Sequence, residues 1–439
     1  MSGTAAVREA LFDVRIRAIA SNGSGVADLP DGRVVFVPRT APGDHARVRM
    51  GKVKRKWAQA SLVELLEHAP NRIDAPCPLF EVCGGCSLQH LPYEAHLEWK
   101  GRFVSDAMTR IGGVRVDPPE VLPSPKPYAY RNRISYSMRR LRGGRVVAGF
   151  HALRRPAHVI EVASECLLPE PVLRTAWSEL RAHWGPGARR LPSGGSLRLT
   201  LRCAGDLVAL EVDGGGADWD ARELAEALPS LVTVWHRPSG VKRATLVSRP
   251  RDDPGLSTSE TAMLGGAFLQ VNAAVAEALL EHVLERSRFP DAESTHANNR
   301  VVDAYCGVGI YAREFAMRGS RVTGIEVDPD ACAAARRDAP AVLSVVQGLV
   351  EEHLAASLPT DLLIVNPPRT GLHDSVPDIV RTAPPARVIY VSCDPATLAR
   401  DVSRLSGSHA LQELRAFDLF PQTTHVETVA VLARVEGQT

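Results

Sequence analysis

The side chains best suited to covalent chemistry fall in two short stretches, "SCDPATLARD" at 392–401 and "FPQTTHVETV" at 420–429. Cys393 ends an apolar run, Asp394 can cap the helix that follows, and Pro395 can open it. A thiol beside a helix N-terminus is expected to have a lowered pKa and to react as the thiolate. The plain alternative is an inert, buried cysteine at a strand end. Glu427 is the matching candidate for a base, against the alternative of a solvated turn carboxylate. His425, two residues earlier, reads as a structural hydrogen-bonding residue.

A second group of thiols stands far upstream. "APCPLFEVCGGCSLQHL" at 75–91 gathers Cys77, Cys83 and Cys86 in a chain of 439 residues with eight cysteines. The start of the chain, "MSGTAAVREALFDV", has no apolar core of the secretory kind. Nor does any segment reach the roughly 18 uninterrupted apolar residues of a membrane span. A cytoplasmic, reducing setting is therefore expected, where clustered cysteines mean metal or catalysis more often than disulfides.

The elements that must position these residues change in texture along the chain. From 11 to 66, short runs of alternating polarity broken by "SNGSG", "PDG" and "APGD" predict a small β-barrel of the OB type. Its run "ARVRMGKVKRKW" at 46–57 holds six Lys or Arg, which suits either a nucleic-acid platform or a solvated edge strand. "YEAHLEWKGRFVSDAMTRIGG" has helical spacing and stops at Gly112-Gly113. Residues 118–258 read as a second β-rich domain. From about 260, apolar runs alternate with helical stretches, which predicts a parallel, doubly wound α/β sheet. The last two runs, "ELRAFDLF" and "VETVAVLARV", lie too close together for a parallel crossover and should pair antiparallel. Seven strands ending in a reversed hairpin are the outline of a class I, Rossmann-like methyltransferase domain.

"DAYCGVGIYA" places Gly307 and Gly309 between a strand and a helix, where glycine allows close approach of a ligand. Glu326 ends the next strand, 23 residues beyond Asp303, and can accept ribose hydroxyls. A nicotinamide-dependent dehydrogenase would show much the same pair. "LIVNPPRTGL" sets Asn366 at a strand end before two stiffening prolines, as in enzymes that methylate exocyclic amines. Arg369 stands where those enzymes have an aromatic residue, which counts against an amine substrate. A thiolate, a carboxylate and a methyl-donor pocket suit another reaction. Cys393 adds to C6 of a uracil, C5 then takes the methyl group, Glu427 removes the C5 proton, and Cys393 is eliminated.

From near residue 12 to near 435 the chain resembles the bacterial RNA uracil-C5 methyltransferases, through "FVPRTAPGD", "CPLFEVCGGCSLQHLPYEAHLEWK", "YRNRISYSM", "GAFLQVN", "DAYCGVGIYA", "NPPRTGL", "SCDPATLARD" and "FPQTTHVETV". An N-terminal TRAM barrel with a cysteine cluster looks like the branch acting on 23S ribosomal RNA. The resemblance implies three domains: a TRAM domain at 8–66, a central iron-sulfur and RNA-recognition domain at 67–90 and 118–258, and a methyltransferase domain at 91–117 and 259–439. It implies that Cys77, Cys83, Cys86 and Cys166 hold a [4Fe-4S] cluster, with zinc as the competing metal. It further implies that Gln270, Tyr305, Glu326 and Asn366 bind S-adenosyl-L-methionine, that Cys393 is the nucleophile, and that Glu427 is the base.

The family usually has Asp-Pro-Pro-Arg where this chain has Asn366-Pro367-Pro368-Arg369, and Ile310 and Leu349 replace polar residues often found around the cofactor. RNA is the expected partner, held by the barrel's basic strand and by Arg131, Arg133, Arg139 and Arg140, with a monomeric chain and no membrane contact. The competing readings are the same chemistry on tRNA or on cytosine, and a catalytically impaired iron-sulfur RNA-binding protein.

Overall fold

The computed structural model describes residues 11–228, 230–248, 270–288 and 299–435. The expected domain starts at 8 and 259, the domain ends at 258 and 439, and most of "GAFLQVN" lie outside these residues. The chain divides into two compact units, one of residues 1–96, 126–266 and 421–424, the other of residues 97–125, 267–420 and 425–439. The barrel and the β-rich central region thus share one unit. Residues 118–125, expected at the start of the central domain, fall in the other.

In the first unit, β1 (Leu11–Arg15), β2 (Ala18–Ile19), β3 (Ser24–Asp28), β4 (Val34–Pro38), β5 (His45–Val53) and β6 (Trp57–Glu67) form one sheet in the order β1-β5-β6-β4-β3-β2. Along β5 the period of two is plain: Ala46, Val48 and Met50 are buried, while Arg49 points to solvent and Arg47 pairs with Asp13. β8 (Arg133–Arg140), β9 (Val146–Gly149), β10 (Ser196–Ala204), β11 (Leu207–Asp213), β12 (Leu231–Arg237) and β13 (Thr245–Ser248) make the second sheet, ordered β13-β12-β11-β10-β8-β9. Ile134, Tyr136 and Met138 turn its inner face toward a core in which the Trp177 and Tyr136 rings stack with centroids 3.8 Å apart.

The second unit holds the doubly wound sheet. β7 (Val121–Leu122), β14 (Arg300–Ala304), β15 (Arg321–Glu326), β16 (Leu343–Gln347), β17 (Leu362–Val365), β18 (Arg387–Ser392), β19 (His409–Phe417) and β20 (Glu427–Arg434) run in the order β16-β15-β14-β17-β18-β20-β19-β7. β14 to β18 pair in parallel, and β20 pairs antiparallel with both β18 and β19. β17 is buried along its whole length, as a central parallel strand covered on both faces must be. The two-residue β7 adds an unexpected eighth strand, parallel to β19.

Helix α1 (Tyr93–Arg110) joins this unit through Lys100. Its ammonium is wholly buried, donates to Asp418 and to the Phe420 carbonyl, and so fixes the chain just beyond β19. Removing one partner of such a pair would cost about 3–5 kcal/mol, because the other charge would be left buried alone.

Candidate active site

Strand register brings the two chemical stretches together. Ser392, the last residue of β18, is the partner of Thr428 in β20, so the ladder continued by one residue sets Cys393 opposite Glu427. After Cys393 the chain enters helix α2 (Pro395–Leu405), whose Asp394 cap accepts from the Ala396 and Thr397 N–H groups at 2.9 and 3.0 Å. Those bonds explain why the helix end does not activate the thiol as expected. The exposed donors are already spent on a carboxylate whose negative charge offsets the helix dipole. Burial instead pushes the Cys393 thiol up from its ordinary value, and the Glu427 carboxylate adds to the rise.

Glu427 is almost fully buried, and desolvation raises its carboxyl to about 8. The opposing influence on both groups is Arg369, which hydrogen-bonds the Cys393 thiol and lowers both pKa values. In the sequence, Arg369 speaks only against an amine substrate. Its position immediately after Pro367-Pro368 at a strand end was the available signal, since a stiff turn can aim a long side chain. His425 lies exposed, with its ring edge-on to Phe420.

The cofactor candidates occupy the ends of β14, β15 and β17. Tyr305, at φ 64°, receives the His373 N–H on its hydroxyl. Glu326 is half-buried and accepts from Gly307 N–H at 3.0 Å and Asp328 N–H at 2.8 Å. Gly307 has φ 56°, and no atom lies within 4 Å of where its Cβ would be, leaving open space before the carboxylate. Asp303 is fully buried and held up to about 7 by desolvation, an internal brace that accepts from Ala312 N–H. Asn366 is half-buried at the end of β17, with its N–H on the Ala304 carbonyl, and Gln270 is half-buried just before α3 (Ala273–Arg286). Ile310 and Leu349 are exposed, so their apolar side chains are available to a ligand rather than lost to the core.

In the first unit, the four remaining candidate ligands are free cysteines within electrostatic reach of one another. Burial, then the neighbouring thiols, pushes Cys86 up to about 11; Cys166, also raised mainly by burial, reaches about 12. Among the described residues no three His, Cys, Asp or Glu side chains are arranged to hold a metal ion as they stand. Sequence reasoning missed Arg39, which leaves the end of β4 at φ 70° and donates to the carbonyls of Phe80, Cys83 and Cys86. Its guanidinium also lies 3.7 Å from the Phe80 ring centroid.

One expected RNA contact is corrected. The Arg140 guanidinium donates to five backbone carbonyls, those of Gly187, Ala188, Leu191, Pro192 and Gly194, so it braces a loop rather than facing a phosphate. Arg139 is exposed, as are Arg49, Lys52, Lys54, Arg55 and Lys56 on the barrel. No helix among the described residues is long and apolar enough to cross a membrane.

The TRAM domain family matches residues 10–63, and the tRNA (Uracil-5-)-methyltransferase family matches residues 351–435. An uncharacterized RNA methyltransferase of Gloeobacter violaceus is 33% identical across 96% of this chain and 96% of its own. Another, of Thermosynechococcus vestitus, is 32% identical across 96% of this chain and 98% of its own. The crystal structure of Pyrococcus abyssi tRNA (uracil-54, C5)-methyltransferase in complex with S-adenosyl-L-homocysteine shares the fold, with a TM-score of 0.69 and 24% identity over 96% of this chain and all of that one. These relationships identify the chain as a member of the RNA uracil-C5 methyltransferase family.

Proposed function

We propose that this protein transfers a methyl group from S-adenosyl-L-methionine to C5 of a uridine in 23S ribosomal RNA. The observation that carries the reading is the placement of Cys393 opposite Glu427, with Arg369 acting on both. Gln270, Tyr305, Glu326 and Asn366 would hold the cofactor, which supplies the methyl group. The half-exposed Glu326 carboxylate retains lone pairs for ribose hydroxyls, and the open space at Gly307 suits close approach of a nucleoside.

The Cys393 thiolate adds to C6 and makes C5 nucleophilic. C5 is a poor nucleophile without that addition. Once C5 is methylated, Glu427 takes its proton, the C5–C6 double bond re-forms, and Cys393 leaves with the electron pair of the C–S bond. The free carboxyl titrates near 8. Its proton affinity is therefore well above that of an ordinary glutamate, which favours proton removal once it is ionised. The buried target must first leave its stack to reach the thiol.

The thiol set supports a [4Fe-4S] cluster held by Cys77, Cys83, Cys86 and Cys166. Cys83, Cys86 and Cys166, pushed up by burial and by neighbouring thiols, are costly as free thiolates, and cationic iron would relieve that cost. The methyl transfer requires no electron, so the role assigned is structural.

A second reading has tRNA as substrate. The tRNA enzyme of Pyrococcus abyssi aligns over 96% of this chain, a span too long to omit the barrel, so a barrel alone does not separate the two substrate classes. Tritium release from C5-labelled uridine tests both. Release from unmodified ribosomal RNA that needs S-adenosyl-L-methionine and Cys393 is expected; release from tRNA alone would transfer the assignment to tRNA, and silence on both would refute C5 methylation.

A further inference from the structure

We propose that Asp401 is a positioning residue, a buried carboxylate that holds the loop carrying Arg369 so that the guanidinium meets the Cys393 thiol. The proposal rests on the reading of Cys393 as nucleophile for its catalytic meaning, but its geometry stands apart from that reading. Asp401 lies on α2, the helix that Cys393 precedes, and is wholly buried. One carboxylate oxygen accepts the Leu372 N–H at 2.8 Å and the Tyr390 hydroxyl at 2.8 Å; the other accepts from Arg400 Nε at 2.9 Å.

The same face of the helix fastens the loop at two more points. Arg400 donates to the Thr370 carbonyl at 2.9 Å, and Arg404 pairs with Asp374. Alternate residues 370, 372 and 374 are thus tied to Arg400, Asp401 and Arg404, while His373 N–H is bonded to the Tyr305 hydroxyl. Arg369 is the first residue outside this clamp. Gly371, at φ 79°, shows how close the contact is: a Cβ there would stand 2.4 Å from the Asp401 carboxylate and 2.3 Å from the Arg400 guanidinium. One helix therefore sets the nucleophile at its start and, about two turns later, the loop that brings a cation to it.

A carboxylate with this many partners has an obvious purely structural role, so the test must read the thiol. Alkylation of Cys393 by iodoacetamide, followed against pH by peptide mass spectrometry on the full RNA-free protein, reports the thiolate and the nearby guanidinium. Asp401→Asn is expected to slow alkylation of Cys393 at pH 8 by about tenfold, equivalent to about one pKa unit. Arg369→Ala should do the same, and the double variant should add nothing further. Should Asp401→Asn fail to fold, Gly371→Ala serves as the second probe, displacing the loop by contact and by its left-handed backbone while leaving the carboxylate itself unaltered.

An unchanged Cys393 profile in folded Asp401→Asn or Gly371→Ala protein, or full additivity with Arg369→Ala, would overturn the proposal. If Cys393→Ala instead kept full methylation, the assignment of the nucleophile would fail while the alkylation result still judged the clamp.

Discussion

Cys393 and the upstream quartet are all half-buried free thiols, yet their surroundings differ in kind. Each quartet thiol with a raised pKa is perturbed by burial and by other quartet thiols, with Arg39 and Arg131 opposing the rise at Cys83 and Cys86, whereas Cys393 alone is perturbed by a carboxylate, with Arg369 opposing it. Thiols that burden one another call for a shared cation and can be quiet once they have it. A thiol flanked by one acid and one base-stabilising cation is prepared to gain and lose a covalent partner. The company a cysteine keeps, more than its exposure, separates a ligand from a nucleophile.

The strongest way to break this contrast is to delete Cys393. Cys393→Ala should reduce methyl transfer by about 10⁴-fold or more. Its melting temperature and metal content should stay close to those of the parent. Methylation within tenfold of the parent, measured by tritium release, would place the nucleophile elsewhere.

Glu427→Gln should lower turnover by about 10²- to 10⁴-fold. Because addition precedes deprotonation, it should also accumulate a denaturant-stable protein–RNA adduct, visible as a retarded band. A fall in rate without adduct would show that Glu427 acts before the thiol adds. Stability gives an independent check. The folded carboxyl is raised from 4.5 to about 8, so the unfolded chain loses that proton first. Folded stability therefore falls as pH rises between those values. Glu427→Gln should relieve that loss, melting higher than the parent at pH 8 but not at pH 4. The same proton must leave for catalysis, and the raised Cys393 thiol must ionise as well, so the parent's methylation rate should climb with pH through about 8 and keep climbing until the thiol is ionised.

These pairings also mark what could be read in the sequence. The doubly wound sheet was legible because its strands are near-continuous apolar runs between helical stretches, and the hairpin followed from the short link before β20. The two residues of β7 are too few to show any period, so the eighth strand was not. Cys393 and Glu427 stood out by residue type and setting, but the thiol's raised pKa depends on burial and on where Asp394 spends its oxygens. Arg140 looked like a phosphate ligand because its basic neighbours dominate the run. Only the folded loop at 187–194 shows that its donors are taken.

Breaking the quartet should have a smaller effect on chemistry. If the quartet holds the proposed cluster, Cys166→Ala should remove bound iron and its brown colour and lower the melting temperature. Methylation per folded molecule should change by less than the Glu427 effect, because Cys166 belongs to the first unit and supplies no reacting group. A parent protein that is colourless when purified without air and carries zinc would replace the cluster with the competing metal. Loss of methylation as deep as in Cys393→Ala, with the fold intact, would erase the distinction between the two thiol sites.

The mildest perturbation is one that alters neither set of thiols. Arg39 comes from the barrel and reaches the carbonyls of Cys83 and Cys86, not their sulfurs. It therefore shapes the loop without competing for a metal. Hydrogen bonds from a charged donor to buried acceptors are worth about 1.5–3 kcal/mol. Arg39→Ala should cost about that much and make amide exchange faster across 80–86. Because the Arg39 backbone is left-handed, Arg39→Gly separates the lost guanidinium from the strained φ: glycine is relaxed there, so it should destabilise less than alanine. Equal protection of 80–86 in the parent and both variants would mean that the cysteine loop is organised without the barrel. Faster exchange in both, before any change in Cys393 alkylation, is the outcome expected if the barrel helps shape the ligand site and leaves the nucleophile to its own helix.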